Sequence, residues 1–185
     1  MLTTGVGMVA TAAWCARILA ATHYDMALNF GVCGSFDAAL PPGTVVHVIS
    51  DTIAELGAED DDRFLSVHDL QLLGENEFPF EQGRLSNRTP PDNPVLRALP
   101  GVSAITVNTV HGNERSIARV GERFDPQVES MEGAAFMYAC RIQGVPFAQV
   151  RAVSNVVERR NRDAWKLPEA IRNLADTALK ILDTV

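Results

Sequence analysis

The segment from Gln127 to Asn155, QVESMEGAAFMYACRIQGVPFAQVRAVSN, carries the pattern that decides the fold. Gln127 to Met131 reads as a brief strand. Glu132 to Gln143 is helical, with Ala134, Ala135, Ala139 and Cys140 forming a small-residue face suited to close packing. Val145 to Ser154 is strand-like again. The same alternation continues outward. Val6 to Ala21 is an alanine-rich helix opened by the turn Thr4-Gly5-Val6-Gly7, and Ala27 to Gly31 is a short apolar run ending in glycine, the mark of a buried strand. After Pro41-Pro42-Gly43, Thr44 to Ile53 is rich in β-branched residues. Val102 to Val107 is a further strand and Glu114 to Glu122 a short helix. The last helix begins near Pro168, a residue suited to a first helical turn, and places Ile171, Leu174, Ala175, Ala178 and Leu182 on one apolar stripe. Between Asp60 and Leu99 periodicity fades, and Pro79, Pro90, Pro91 and Pro94 predict a long irregular excursion. Strands alternating with helices indicate an α/β architecture with a largely parallel sheet, whose ligands tend to lie at the carboxyl ends of strands.

Composition bounds the rest. The 185 residues, 46% of them apolar, suit one compact domain spanning 1–185, and no linker-like stretch divides them. A net charge of −7 argues against a broad surface for nucleic acid. The acidic run Glu59 to Asp62 reads as a solvated loop. Cys15, Cys33 and Cys140 form no CxxC pair and sit among apolar or small neighbours, as buried free thiols of a reducing cytoplasm do. His23, His47, His68 and His111 form no i, i+4 ligand pair beside a carboxylate, so no metal site is expected. The apolar run Met8 to Ala21 is interrupted by Arg17 and is too short to span a bilayer, and it lacks the flanks of a signal peptide. A cytoplasmic protein without membrane contact is expected.

Four short segments carry candidate chemistry. Gly5-Val6-Gly7 precedes a helix and can either cradle an anion on free backbone N–H groups or serve only as a tight turn. Neither GxGxxG spacing nor a Walker lysine accompanies it, so no dinucleotide or ATP site is read there. Asn29-Phe30-Gly31-Val32-Cys33-Gly34-Ser35 places glycines at a strand end, where backbone and ligand can approach closely. In Glu129-Ser130-Met131-Glu132-Gly133-Ala134-Ala135, Glu132 stands where a strand becomes a helix. Its carboxylate can favour the helix dipole, or accept hydrogen bonds from a vicinal diol, two acceptor oxygens matching two O–H donors. Finally, Asn155 ends the strand-like run Arg151-Ala152-Val153-Ser154. Its amide both donates and accepts, which suits a base edge bearing a carbonyl beside an N–H.

Taken together and in this order, these segments resemble the purine nucleosidase branch of the nucleoside phosphorylase superfamily, across essentially the whole chain from Thr4 to the C-terminal helix. Val153 to Arg162 followed by Trp165, Thr106 to Gly112, and Ala54-Glu55-Leu56-Gly57 are similar to futalosine hydrolases in particular. The resemblance implies a three-layer α/β/α sandwich around a mixed, largely parallel sheet, assembled as a homodimer or larger and using no metal or organic cofactor. It implies that Glu132 binds the ribose hydroxyls, Met131 lies against the ribose, Asn155 addresses the purine, Thr109, Val110 and His111 wall the base, and Gly34 belongs to the substrate site. The implied reaction is hydrolysis of the N-glycosidic bond of futalosine, releasing hypoxanthine, in menaquinone biosynthesis. Two other readings stand beside it within the superfamily, a methylthioadenosine/adenosylhomocysteine nucleosidase and a purine nucleoside phosphorylase. A third is a non-catalytic nucleoside-binding protein.

Two departures refine the expectation. Phosphorylases of the superfamily place an arginine and a hydroxyl where this chain has Asn29 and Val32. Charge-assisted bidentate contacts from arginine hold a phosphate nucleophile, so water is the expected nucleophile. Relatives that split 6-aminopurine nucleosides carry Asp at the place of Asn155, whereas an amide can donate to O6 or N7 of hypoxanthine. Family chains also open with strands ahead of the Gly-x-Gly helix and carry there a glutamate that activates water. No residue of this sequence matches that glutamate, and Asp51, Glu55 and Glu129 cannot be placed as substitutes, so weak nucleoside binding with slow hydrolysis or none, and an uncovered sheet edge or apolar surface, are expected.

Overall fold

The computed structural model describes residues 1–184. Five α-helices surround the strands: α1 (Met8–Ala21), α2 (Pro94–Ala98), α3 (Glu114–Phe124), α4 (Gly133–Gln143) and α5 (Leu167–Leu182). The main sheet holds β1 (Ala27–Ser35), β2 (Val45–Ile53), β5 (Leu85–Ser86), β6 (Gly101–Thr106), β7 (Val128–Ser130) and β8 (Phe147–Val156). Strands β3 (Gly57–Asp60) and β4 (Arg63–Ser66) form a separate hairpin.

The sheet is mixed, and its longest ladders are parallel. Strand β1 runs parallel to β8 from Ala27 opposite Phe147 to Ser35 opposite Val156. Strand β6 runs parallel to both β2 and β7. The order is β5-β2-β6-β7-β1-β8, and β8 returns to pair antiparallel with β2 through Val45–Val48. The strands therefore close on themselves, with β8 paired on both sides, to β1 and to β2. Flanked by β1 and β2, β8 is buried continuously from Phe147 to Ser154, so its polar side chains Gln149, Arg151 and Ser154 are enclosed together with the apolar ones, and each finds a hydrogen-bond partner, in Asp51, Asn29 and the Cys33 carbonyl.

Local chemistry explains where the helices start and stop. Gly7 precedes α1 at φ 93°, a backbone region that L side chains rarely adopt, so the Gly-Val-Gly turn is a conformational requirement. Helix α3 is capped by the Asn113 side chain, which accepts from the N–H groups of Arg115 and Ser116, and it ends at Asp125 in the left-handed region just before Pro126. Helix α4 ends at Gly144, also left-handed. Its first N–H groups are satisfied from the sheet, Gly133 donating to Ser130 Oγ and Ala134 to Thr106 Oγ1.

Three readings of the sequence need correction. The excursion from Asp60 to Leu99 contains β4, β5 and α2, and the acidic run is half strand. Glu59 and Asp60 end β3, while Asp61 and Asp62 make the turn of the hairpin. The helix pattern was missed there because a two-stranded hairpin and a helix of one and a half turns are too short to impose a period. The stripe on α5 is rotated: Ala170 and Ile181 are buried with Leu174 packed beside them, whereas Ile171 and Leu182 are 51% and 53% exposed. Strand β1 runs four residues past Gly31, to Ser35, because glycine at 31 and 34 admits neighbouring side chains without ending the ladder.

The small-residue face of α4 is packed to its limit. Gly133, Ala134 and Met137 are buried, and α4 lies against α1 and the sheet. A Cβ at Gly133 would run into Asp51 Oδ2 and Gln149 Nε2, both on buried side chains. Gly133→Ala is therefore expected to destabilise the fold by about 1–3 kcal/mol, since a rigid core resists even one added methyl, despite the better helix propensity of alanine. A chemical-denaturation midpoint equal to or above the parent's would contradict this packing.

Candidate active site

Three neighbouring strands bring the site together. Gly34 of β1 lies opposite Glu129 of β7 on one side and Asn155 of β8 on the other. The β1–β8 register slips between Cys33 and Gly34, which pair with Val153 and Asn155, so Ser154 is the extra residue of a bulge. A bulge re-aims the side chain that follows it, and here that side chain is Asn155. Ser154 Oγ lies 3.1 Å from Cys33 O and 2.8 Å from Asn155 Oδ1, fixing the bulge from within. Asn155 Nδ2 donates to Val156 O at 2.9 Å, which leaves one amide hydrogen and one acceptor lone pair to face a ligand. A Cβ at Gly34 would press on Val157 and approach Asn155 Nδ2 to 3.3 Å, so the glycine keeps room for the amide.

The cavity at this strand end has a volume of about 50 Å³ and is lined by Gly34, Val110, His111, Glu129, Asn155 and Val156, with Glu158, Arg160, Asn161 and Trp165 at its outer wall. A volume of that size can take no more than the edge of a planar ring. Its most ordered feature is a clamp of Glu129 on His111. The Glu129 side chain is 3% exposed; Oε1 accepts from the His111 backbone N–H at 3.0 Å and Oε2 lies 2.6 Å from His111 Nδ1. Arg160 and Arg162 approach the face of Trp165 at 5.7 and 5.9 Å, so that outer wall is cationic and aromatic.

A second cluster lies at the junction of β7, α4 and the start of α1. Glu132 occupies the residue before α4 but makes no cap hydrogen bond to it. Its Oε1 accepts instead from Gly7 N–H at 2.9 Å, at the amino end of α1, and its Oε2 lies 3.9 Å from Arg151 Nη1. Arg151 is fully buried, donates to Asn29 Oδ1 at 2.6 Å, and fills the space above Gly31, where any Cβ would collide with its guanidinium. Burial pushes its pKa down, while the carboxylates of Glu132 and Asp51 favour the charged form. The same burial pushes the Cys33 thiol up to about 12, which leaves it an inert neighbour. Asp51, entirely buried, is pushed up to about 6 by desolvation against the hydrogen bonds of Thr106 and Gln149 and the charge of Arg151.

Of the residues expected at the site, Gly34, Val110, His111 and Asn155 line one cavity. Met131 and Glu132 stand outside its wall, half-buried at the junction with α1, and Thr109 is exposed on the loop between β6 and α3. Sequence reading placed Arg151 and Glu129 in motifs but gave neither a partner. Their partners, Asn29 and His111, come from other elements, 122 and 18 residues away. A wider depression of about 330 Å³ lies elsewhere, around Phe78, Ser86, Asn87 and Phe147. Its two guanidiniums are already paired with one carboxylate, Arg141 with Glu81 Oε1 at 2.8 Å and Arg88 with Oε2 at 2.6 Å, and none of the expected residues reaches it.

The family model of the Phosphorylase superfamily matches residues 1–185. The chain belongs to that superfamily. Within it, the chain is 34% identical to futalosine hydrolase of Streptomyces coelicolor over 98% of its length and 77% of the relative's. It is 31% identical to futalosine hydrolase of Thermus thermophilus, over 98% of this chain and 80% of that one. Among solved structures, a methylthioadenosine/adenosylhomocysteine nucleosidase of Colwellia psychrerythraea in complex with adenine shares this phosphorylase-superfamily fold, with a TM-score of 0.76 at 21% identity, covering 98% of this chain and 76% of that one. The α/β architecture with a central mixed sheet, expected from the sequence, is thus the fold of the superfamily. No helix of the described residues is long and apolar enough to cross a membrane.

Proposed function

We propose that the protein hydrolyses the N-glycosidic bond of futalosine, releasing hypoxanthine and the base-free sugar, as a cytoplasmic step of menaquinone biosynthesis carried out by a homodimer or larger assembly. The futalosine hydrolases of Streptomyces coelicolor and Thermus thermophilus to which it is similar support the substrate. In this reading the purine edge enters the cavity beside Asn155, Gly34, Val110 and His111. Glu132 accepts hydrogen bonds from the ribose hydroxyls, with Met131 against the sugar and Thr109 near the base. The transition state carries positive charge on the sugar and negative charge on the leaving purine, so fixed dipoles and charges at these two places lower the barrier.

One observation favours water over phosphate as nucleophile. Asn29 stands where a phosphate-binding arginine would be, and its carbonyl oxygen is engaged by the buried Arg151 at 2.6 Å. Arg151 in turn is fully buried and faces Glu132 at 3.9 Å, so the cation nearest this place is turned toward an amide and a carboxylate, which opposes a phosphate dianion there. The test is hypoxanthine release from futalosine with and without inorganic phosphate, together with analysis of the sugar. Release that ignores phosphate and yields a free reducing sugar is expected; a phosphate requirement with a sugar 1-phosphate product would overturn the proposal.

Asn155 bears on the choice of base. Asn155→Asp replaces the amide donor by an acceptor, which suits a 6-amino group and opposes O6. Leaving one buried polar group unpaired costs about 1–3 kcal/mol, so the ratio of hypoxanthine to adenine release from inosine and adenosine is expected to fall by about one to two decades. Equal effects on the two nucleosides would remove Asn155 from the base edge.

A further inference from the structure

We propose that His111, held by Glu129, is the general acid that protonates the departing purine. The inference rests on the nucleoside-cleaving reading of this cavity and adds a step that Asn155 cannot perform. An amide can hydrogen-bond a leaving base, but it has no proton to give up. The electron pair that the base takes from the glycosidic bond needs one.

The geometry of the clamp selects His111. A carboxylate can only accept, so the 2.6 Å contact requires the hydrogen to sit on Nδ1, and the contact to the backbone N–H fixes the residue's rotation as well. The two contacts spend both oxygens of a buried Glu129 on one residue. Phe36 meets the imidazole edge-on, with ring centroids 6.3 Å apart, and restricts it further. His111 Nε2 makes no hydrogen bond to any described residue, and the ring lines the cavity together with Asn155. With the Nδ1 hydrogen held on the Glu129 carboxylate, Nε2 is the ring nitrogen left to carry a proton to and from a ligand. The other charged groups of the cavity are Glu129 itself and, on the segment after β8, the exposed Glu158 and Arg160; from β1, Gly34 and Phe36 bring none. Glu129 acts through His111 and is a positioning residue.

The step balances as follows. The C1′–N9 bond breaks and its electron pair stays on the purine, while the proton on His111 Nε2 moves to purine N7. The imidazole is left neutral, with its Nδ1 hydrogen still on Glu129. The oxygen of water bonds to C1′, the proton it sheds passes to solvent, and solvent returns a proton to Nε2. The net change is nucleoside plus water to sugar plus base.

The decisive experiment compares inosine with 7-methylinosine, whose base already carries the positive charge and departs without needing a proton. His111→Gln and His111→Ala are assayed for kcat and KM on both, after thermal melts establish that each folds. On inosine kcat is expected to drop roughly 100-fold or more, the range of general-acid assistance, with KM within about threefold. On 7-methylinosine the drop should stay below about tenfold, and added imidazole should restore inosine cleavage to folded His111→Ala. Glu129→Gln, which can still accept from Nδ1 but lacks the charge, should lower kcat on inosine about tenfold at constant KM. Equal losses on both nucleosides, or no loss in a folded His111 variant of a parent that releases base, would overturn the acid role alone. A parent that releases base from neither futalosine nor inosine would overturn the nucleosidase reading and this inference with it.

Discussion

Glu132→Gln is expected to leave a folded protein whose nucleoside cleavage is reduced at least roughly 100-fold, a loss of about 2.7 kcal/mol of transition-state stabilisation. The fold survives because Glu132 is not a structural cap. The first N–H groups of α4 are satisfied by Ser130 and Thr106, and the Gly7 N–H that Glu132 receives can be accepted equally by a glutamine carbonyl. Arg151 keeps its 2.6 Å bond to Asn29 when the carboxylate at 3.9 Å is neutralised, so the stability cost should stay near ~1–2 kcal/mol. The function suffers because a carboxylate presents two charged acceptors to a diol, whereas an amide presents one neutral acceptor and one donor that opposes the second hydroxyl. Base release and nucleoside affinity should be measured side by side on parent and variant. Near-parental turnover in a folded variant would move the sugar site away from the β7–α4 junction.

Helix α4 and strand β8 were legible in the sequence because each is long enough to impose its own rule. Eleven residues with a small-residue face and a terminal glycine form α4, and ten residues of which Phe147, Ala148, Val150, Ala152, Val153 and Val156 are apolar form a strand enclosed on both sides. The closure of β8 onto β2 was not legible, since Val45–Val48 pairs with a segment about a hundred residues away and nothing in either stretch encodes the partner. The site divides the same way. Gly34 and Asn155 sit at strand ends, where a glycine or a lone amide stands out against apolar neighbours. The partners that give the other groups their chemistry do not stand out. Asn29 reads as the absence of an arginine until Arg151 is found resting on it. Glu129 reads as an acidic residue without a role until the loop after β6 brings His111 to within 2.6 Å.

The last expected result concerns acid and stability. Asp51 is wholly buried beneath the amino end of α4, where Oδ1 accepts from Thr106 Oγ1 at 2.9 Å and Oδ2 from Gln149 Nε2 at 3.3 Å. Desolvation outweighs these bonds and the charge of Arg151, so the carboxyl stands at about 6 against an ordinary 3.8. A group raised on folding binds its proton more tightly in the folded state. Its contribution is fully present below pH 3.8 and is lost as pH rises through about 6. Two pH units of displacement correspond to about 3 kcal/mol. Carboxylates such as the half-buried Asp37 and the exposed Asp69, held below their ordinary range by hydrogen bonds, act in the opposite sense, so the effect should be isolated by difference. Asp51→Asn removes the titration while keeping the Thr106 bond. Its new amide can donate to Gln149 once that side chain turns over, which also satisfies Gln149 Oε1, now without a partner among the described residues. Urea unfolding of parent and Asp51→Asn between pH 4 and pH 8 should show the variant gaining on the parent by about 2 kcal/mol across the series, most of it between pH 4 and pH 6. A difference that stays flat with pH would mean that Asp51 is solvated or already ionised in the folded protein, and that the floor beneath α4 is wetter than the structure has it.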